Sequence, residues 1–109
     1  MNKSYNIIVD VYYNGRLRLR YGNDTEVHDI TINIKDLYLD IDRVFIDPAV
    51  IKNNLFHILL KERIIDDVTG LFMYNYKEIP VCSVNFKRLK KYDFAGVNKY
   101  FNRKVHHGK

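Results

Sequence analysis

Residues 5–21, YNIIVDVYYNGRLRLRY, constrain this chain most, because two alternating runs flank a turn whose chemistry fixes their register. A two-residue Asn14-Gly15 loop suits the preference of tight hairpins for residues that tolerate positive φ. It would, however, set Val9, Val11 and Tyr13 on the same face as Arg16, Arg18 and Arg20, leaving neither face apolar. A three-residue loop, Tyr13-Asn14-Gly15, places Gly15 in the left-handed position of a G1 bulge. It pairs Val11 with Leu17, Val9 with Leu19 and Ile7 with Tyr21. One face is then coherently apolar, which is what specifies register. The other face carries Tyr12 beside Arg16, Asp10 beside Arg18 and Ile8 beside Arg20.

The next alternating run, residues 26–34, follows the turn cluster Gly22-Asn23-Asp24-Thr25 and sets His28, Ile30, Ile32 and Ile34 on one face. A four-residue loop brings Leu17 opposite Ile30, Leu19 opposite His28 and Arg18 opposite Asp29, giving a three-stranded meander. Residues 37–42 alternate again and suit a fourth strand, with Asp36, Asp40 and Asp42 forming an acidic patch. Asp47-Pro48 is a helix start, Asp as N-cap and Pro at the first helical position. Ile51, Leu55, Ile58 and Leu59 then recur at helical spacing, so one helix is expected over about 48–63, closed off by residues 66–70. Residues 71–76 and 79–86 read as a second hairpin turning at Lys77-Glu78, with Pro80 at a strand start or on an edge. Asp93 can cap a short basic helix anchored by Phe94, Val97 and Phe101.

The expected fold class is therefore α+β: an antiparallel three- or four-stranded meander, a central helix, a second β-hairpin and a short C-terminal helix. A chain of 109 residues suits one domain, here spanning 1–109 with a basic C-terminal end over about 88–109. Hydrophobic residues make up 47% and the mean hydropathy is −0.32, ordinary for a soluble protein. No run of about 18 apolar residues suggests a membrane span, and Asp10 interrupts the first apolar stretch, so no secretory leader is expected. The single cysteine, Cys82, excludes an internal disulfide and favours a cytoplasmic setting. Heavy use of Ile, Asn, Lys, Tyr and Phe, two alanines and no Gln or Trp are the imprint of an AT-rich genome. Low-GC bacteria, their phages and mobile elements, and several large viruses share that bias.

Chemistry-bearing patterns are few. The Arg16, Arg18 and Arg20 row, with Tyr12 and Tyr13 as stacking partners, has the composition of a single-strand nucleic-acid surface. Register sets Asp10 and Asp29 beside Arg18, and cross-strand charge pairs of that kind are common and weak. Arg16 and Arg20 are left without an acidic neighbour. Lys90, Lys91, Lys99, Arg103 and Lys104 gather much of the net charge of +5 near the C-terminus, a distribution that suits a polyanion or an acidic protein surface.

His57 sits beside an apolar stripe, and His28 lies on an inner strand face with Asp29 pointing the other way. His106-His107 lack supporting groups, and Cys82 falls in a β-rich run where a thiol is inert. The aspartates at 36, 40, 42 and 47 do not follow calcium-loop spacing, so neither a metal nor any other cofactor is expected. No phosphate-cradling glycine loop, nucleophile elbow or metalloprotease helix is present.

These features point to a non-catalytic interaction module that binds another protein, such as an inhibitor or accessory factor of a phage or mobile element. The alternative is a small basic nucleic-acid-binding protein using the arginine face or the basic C-terminus. A small hydrolase or toxin-like nuclease has only scattered His, Tyr and Arg behind it.

Overall fold

The computed structural model describes residues 6–103 and is an α+β arrangement of two antiparallel sheets and four helices. Strands β1 (Asn6–Val11), β2 (Leu17–Gly22) and β3 (Val27–Asp29) form the first sheet in that order. Strands β4 (Thr31–Ile32), β5 (Arg43–Ile46), β6 (Ile65–Tyr74) and β7 (Lys77–Val84) form the second, in the order β4-β5-β7-β6. The helices are α1 (Pro48–Lys52), α2 (Leu55–Lys61), α3 (Phe86–Tyr92) and α4 (Phe94–Phe101).

The first hairpin has the expected register, Val11 opposite Leu17, Val9 opposite Leu19 and Ile7 opposite Tyr21. Gly15 has φ +90°, and the turn closes through Gly15 N–H to Tyr12 C=O at 2.8 Å and Tyr12 N–H to Arg16 C=O at 2.7 Å. Ile7, Val9, Leu17 and Leu19 are buried, as a single apolar face requires.

The third strand departs from expectation by two residues: Arg20 faces Asp29, Tyr21 faces His28 and Gly22 faces Val27. The cause is Asn23, whose side-chain oxygen accepts from the N–H of Thr25 and of Glu26 and nucleates the turn one residue later. The run then breaks at Ile30, and Thr31-Ile32 crosses to the second sheet to pair with Ile46 and Phe45. Residues 26–34 thus staple the two sheets together, and His28, expected inside, lies exposed beside Glu26.

Residues 37–42 are irregular chain ending in a turn at 41–42, in place of a fourth strand. The Arg16 guanidinium holds the carbonyls of Ile34 and Leu37, fixing the chain in a bend; the next strand is β5, with its β-branched and aromatic residues. The single helix expected over 48–63 is two short ones, broken at Asn53-Asn54. Asn54 adopts φ +68° and the Asn53 side chain accepts from Leu55 N–H, a local alternative to helix that asparagine favours. Its start is as read, with Asp47 accepting from Ala49 N–H at 3.0 Å and Pro48 opening the helix.

Residues 66–70, expected as a helix terminator, belong to β6. The second hairpin turns at Asn75-Tyr76 and not at Lys77-Glu78; both turn residues have positive φ (+51° and +64°), the handedness that matches strand twist. Pro80 lies beyond the end of the β5–β7 pairing, which stops at Phe45 opposite Val81, so its missing N–H removes no ladder bond on that side. Phe86 opens helix α3, capped by Asn85 on Arg88 N–H at 3.0 Å. Helix α4 is capped by Asp93 as expected, but its buried anchors are Val97 and Tyr100, while Phe94 and Phe101, expected to anchor it, are exposed. One large core runs from Ile7 through Leu59 and Cys82 to Tyr100. A smaller cluster, Ile34, Phe45 and Ile79, fills the other face of the second sheet. Among the described residues no helix is long and apolar enough to cross a membrane.

Candidate functional site

The outer face of the first hairpin is engaged with its own fold. Arg18 reaches Asp29 at 3.2 Å and stacks over the Tyr12 ring, its guanidinium carbon 5.3 Å from the centroid. Arg20, expected to lack an acidic neighbour, reaches Asp10 at 3.0 Å, and Lys99 of α4 meets the same carboxylate at 3.0 Å. The pairs are diagonal: Asp10 stands opposite Arg18 but binds Arg20, while Asp29 stands opposite Arg20 but binds Arg18. Burial raises the Asp10 pKa, but the Val11 N–H, the Lys99 ammonium and Arg20 outweigh it and the net shift is downward. Tyr12 is half-buried with its hydroxyl 2.8 Å from Thr31 Oγ1; burial pushes its pKa up.

Besides the Lys99–Asp10 contact, the hairpin meets a C-terminal basic residue at its turn. A cleft of about 160 Å³ is lined by Arg16, Arg43 and Arg103 together with Asp40 and Tyr100. Arg103 lies under the Gly15 turn, stacks on the Tyr100 ring with its guanidinium carbon 4.0 Å from the centroid, and donates to Tyr100 C=O. Arg43, which sequence reasoning missed, pairs with Asp42 at 2.6 Å. Arg16 is committed to backbone carbonyls, and the Nε atoms of Arg18, Arg20 and Arg103 are shut away from solvent without an acceptor among the described residues. Of the other basic residues singled out, Lys90 and Lys91 are exposed on α3, and Lys104 lies outside the described residues, as do His106 and His107.

Cys82 is fully buried in the main core, and burial, with the Asp67 charge adding to it, pushes its thiol up to about 12. His57 is exposed on α2. Among the described residues no three His, Cys, Asp or Glu side chains are grouped to hold a metal ion.

The surface that sequence reasoning overlooked is the free edge of β6. The edge of β1 is covered: Val9 N–H donates to Asp93 Oδ2 at 3.0 Å, and Gly96 of α4 sits so close that a Cβ there would lie 2.3 Å from Val9 C=O. Among the described residues nothing comparable covers β6, the terminal strand of its sheet. Its first half carries Asp66 and Asp67 and two register shifts, devices that discourage strand pairing. Its second half, Leu71-Phe72-Met73-Tyr74, pairs regularly with β7 and holds no charge. Leu71 and Met73 are each 62% exposed, and Tyr76 at the turn is fully exposed. Phe72 anchors this arm, its ring 6.4 Å from that of Phe45. The uncharged run from Leu71 to Tyr76 was the available signal. Comparison with protein-family models, curated proteins and solved structures gives no match for this chain.

Proposed function

We propose that this protein is a non-catalytic interaction module that receives an extended segment of another protein along the outer edge of β6. The observation that carries this reading is the pairing of an uncovered strand edge with exposed, uncharged side chains over residues 71–74. An edge strand offers N–H and C=O groups at the spacing of a neighbouring strand, and a polypeptide answers that pattern by β-augmentation. Nucleic acid has no complementary row of alternating donors and acceptors. Exposed Leu, Met and Tyr side chains supply the desolvation and aromatic contact that protein interfaces concentrate. The arginine row supports the same reading indirectly, since its members are already held by Asp10, Asp29 and backbone carbonyls. A small factor of this kind, with AT-rich residue usage, fits an inhibitor or accessory protein of a phage or mobile element acting in the cytoplasm of its host.

The test is affinity capture from a low-GC bacterial host, with and without nuclease, using the natural chain and Leu71→Lys/Met73→Lys. Both positions are exposed, so stability should change by no more than about 0.5 kcal/mol each. The expected result is a partner retained after nuclease and lost in the double variant, with β6 amides gaining hydrogen-exchange protection in the complex. Capture that disappears with nuclease, or that ignores the double variant, overturns the assignment.

A further inference from the structure

We infer that the junction of α2 and α3 is a phosphate-binding site, distinct from the β6 edge and independent of the reading above. Arg63, Lys87, Arg88 and Lys91 line a cleft of about 220 Å³ together with Asn85. None of the four forms an ion pair with a described residue, in contrast to Arg18, Arg20, Arg43 and Lys99. Neither nearby carboxylate pairs with one of the four cations: Glu62 accepts from the Tyr92 hydroxyl at 3.0 Å, and Asp66 accepts from the Asn85 side-chain amide of the cleft itself at 3.4 Å. Asn85 N–H donates to Ile64 C=O at 3.0 Å, which fixes the end of α2 against the start of α3 and so fixes Arg63 beside the lysines.

Three local rules are broken here at once. Helix α2 ends in a Schellman motif, with Ile64 N–H to Leu59 C=O at 3.0 Å and Arg63 N–H to Leu60 C=O at 3.1 Å. The residue at the left-handed position of that motif is usually glycine, yet here it is Arg63, at φ +60°. Lys87 and Lys91 stand four apart on α3 and Arg88 stands three before Lys91, so Lys91 has a like charge at both neighbouring helical spacings. Lys87 and Arg88 also fall in the first turn of α3, which contains no acidic residue, although that end of a helix disfavours cations. Each choice destabilises the free protein, and one bound oxyanion relieves the charge terms together. Local rules broken without internal compensation mark sites built for something else. Guanidinium and ammonium donors without carboxylate partners are the chemistry that recognises phosphate, whether in a nucleic-acid backbone or in a free phosphorylated molecule.

The decisive variant is Arg63→Gly in the full chain. Glycine relieves the left-handed strain, so Tm should rise by about 4 °C. Binding of pyrophosphate, followed by calorimetry and by amide shifts at low salt, should weaken about ten-fold or more, the loss expected for one charge-assisted contact. Lys87→Gln/Lys91→Gln should weaken it as well, and keeps the test open if Arg63→Gly perturbs folding. A short oligothymidylate forms the second arm. Tighter binding than pyrophosphate, falling steeply with salt, assigns the site to a phosphodiester backbone; equal or weaker binding assigns it to free phosphorylated molecules. Failure of the natural chain to bind either probe overturns the site, and so does an Arg63→Gly protein that is stabilised yet binds unchanged.

Discussion

In the β1–β2 hairpin every charged side chain of the outer face has a partner in the fold, whereas the β6–β7 hairpin carries its exposed apolar side chains past the end of the sheet with no cover from a described residue. Both are two-stranded antiparallel units with tight turns that use positive φ. They differ in what lies alongside. Helix α4 closes the β1 edge through Asp93 and Gly96, so backbone groups that would recruit a neighbouring strand are already answered. At β6 no described residue answers the same groups, and charge and bulges protect only the first half. The lesson is that a row of arginines is a poor guide to a binding face when the fold supplies its counter-ions. An uncharged strand segment with one edge unpaired is a better one.

The comparison breaks most easily at Asp93, which does two jobs with its two oxygens: Oδ1 accepts from Gly96 N–H at 2.9 Å to cap α4, and Oδ2 accepts from Val9 N–H. Asp93→Ala removes the cap and orphans a strand N–H, and the two losses together should lower stability by about 3 kcal/mol in urea unfolding. Asp93→Asn, with one acceptor oxygen, should fall between. An Asp93→Ala loss no larger than an isolated cap would mean that the β1 edge is not sealed by this residue.

Two glycines sharpen the contrast at a smaller scale. A Cβ at Gly96 would lie 2.3 Å from Val9 C=O and 2.6 Å from Asp93 Oδ2, while at Gly70 of β6 it meets nothing within 4 Å. Gly96→Ala should therefore cost about 1–3 kcal/mol through forced separation of α4 from β1. Gly70→Ala should be neutral or stabilise by about 0.5 kcal/mol, since glycine weakens a strand interior. Equal effects of the two substitutions in parallel urea titrations would remove the distinction between a sealed edge and a bare one.

What the sequence made legible follows the same division between local and non-local causes. The β1–β2 register was readable because Gly15 and a single apolar face agree, and Asp47-Pro48 and Asp93 announce their helices through side-chain chemistry close by in the chain. The β2–β3 register was not, because a shift of two residues leaves every side chain on its original face and the hydrophobic pattern cannot register it. That shift, with the diagonal reach of Asp10 and Asp29, decides which arginine meets which carboxylate. The Asn53-Asn54 break interrupts a helical periodicity that continues on both sides, and it leaves Ile51 exposed although the stripe places it in the core. The candidate site was legible only as composition. That β6 is an edge depends on β7 pairing with β5 across long sequence separation, and that Arg63 is left-handed depends on Ile64 reaching the core.

The smallest expected effect concerns pH, and it tests whether the first hairpin's charges are structural. Asp10 has its pKa lowered in the folded protein, because Val11 N–H, Lys99 and Arg20 together outweigh the effect of burial. Between that lowered value and the ordinary carboxylate value near 3.8, the unfolded chain binds more protons than the folded one, so stability rises with pH through this window. The contribution of Asp10 is complete above the ordinary value and is lost as pH falls through the folded one. Because Lys99 is largely exposed and Asp10 and Arg20 are only half-buried, the three-membered cluster should contribute no more than about 1 kcal/mol, and less at high salt. Asp10→Asn should accordingly flatten the acid limb of the stability profile while leaving the slope above neutrality unchanged. An acid limb that survives Asp10→Asn at full size would assign the acid sensitivity to other carboxylates. The row of arginines would then be held by backbone carbonyls, Asp29 and Tyr12 without measurable help from Asp10.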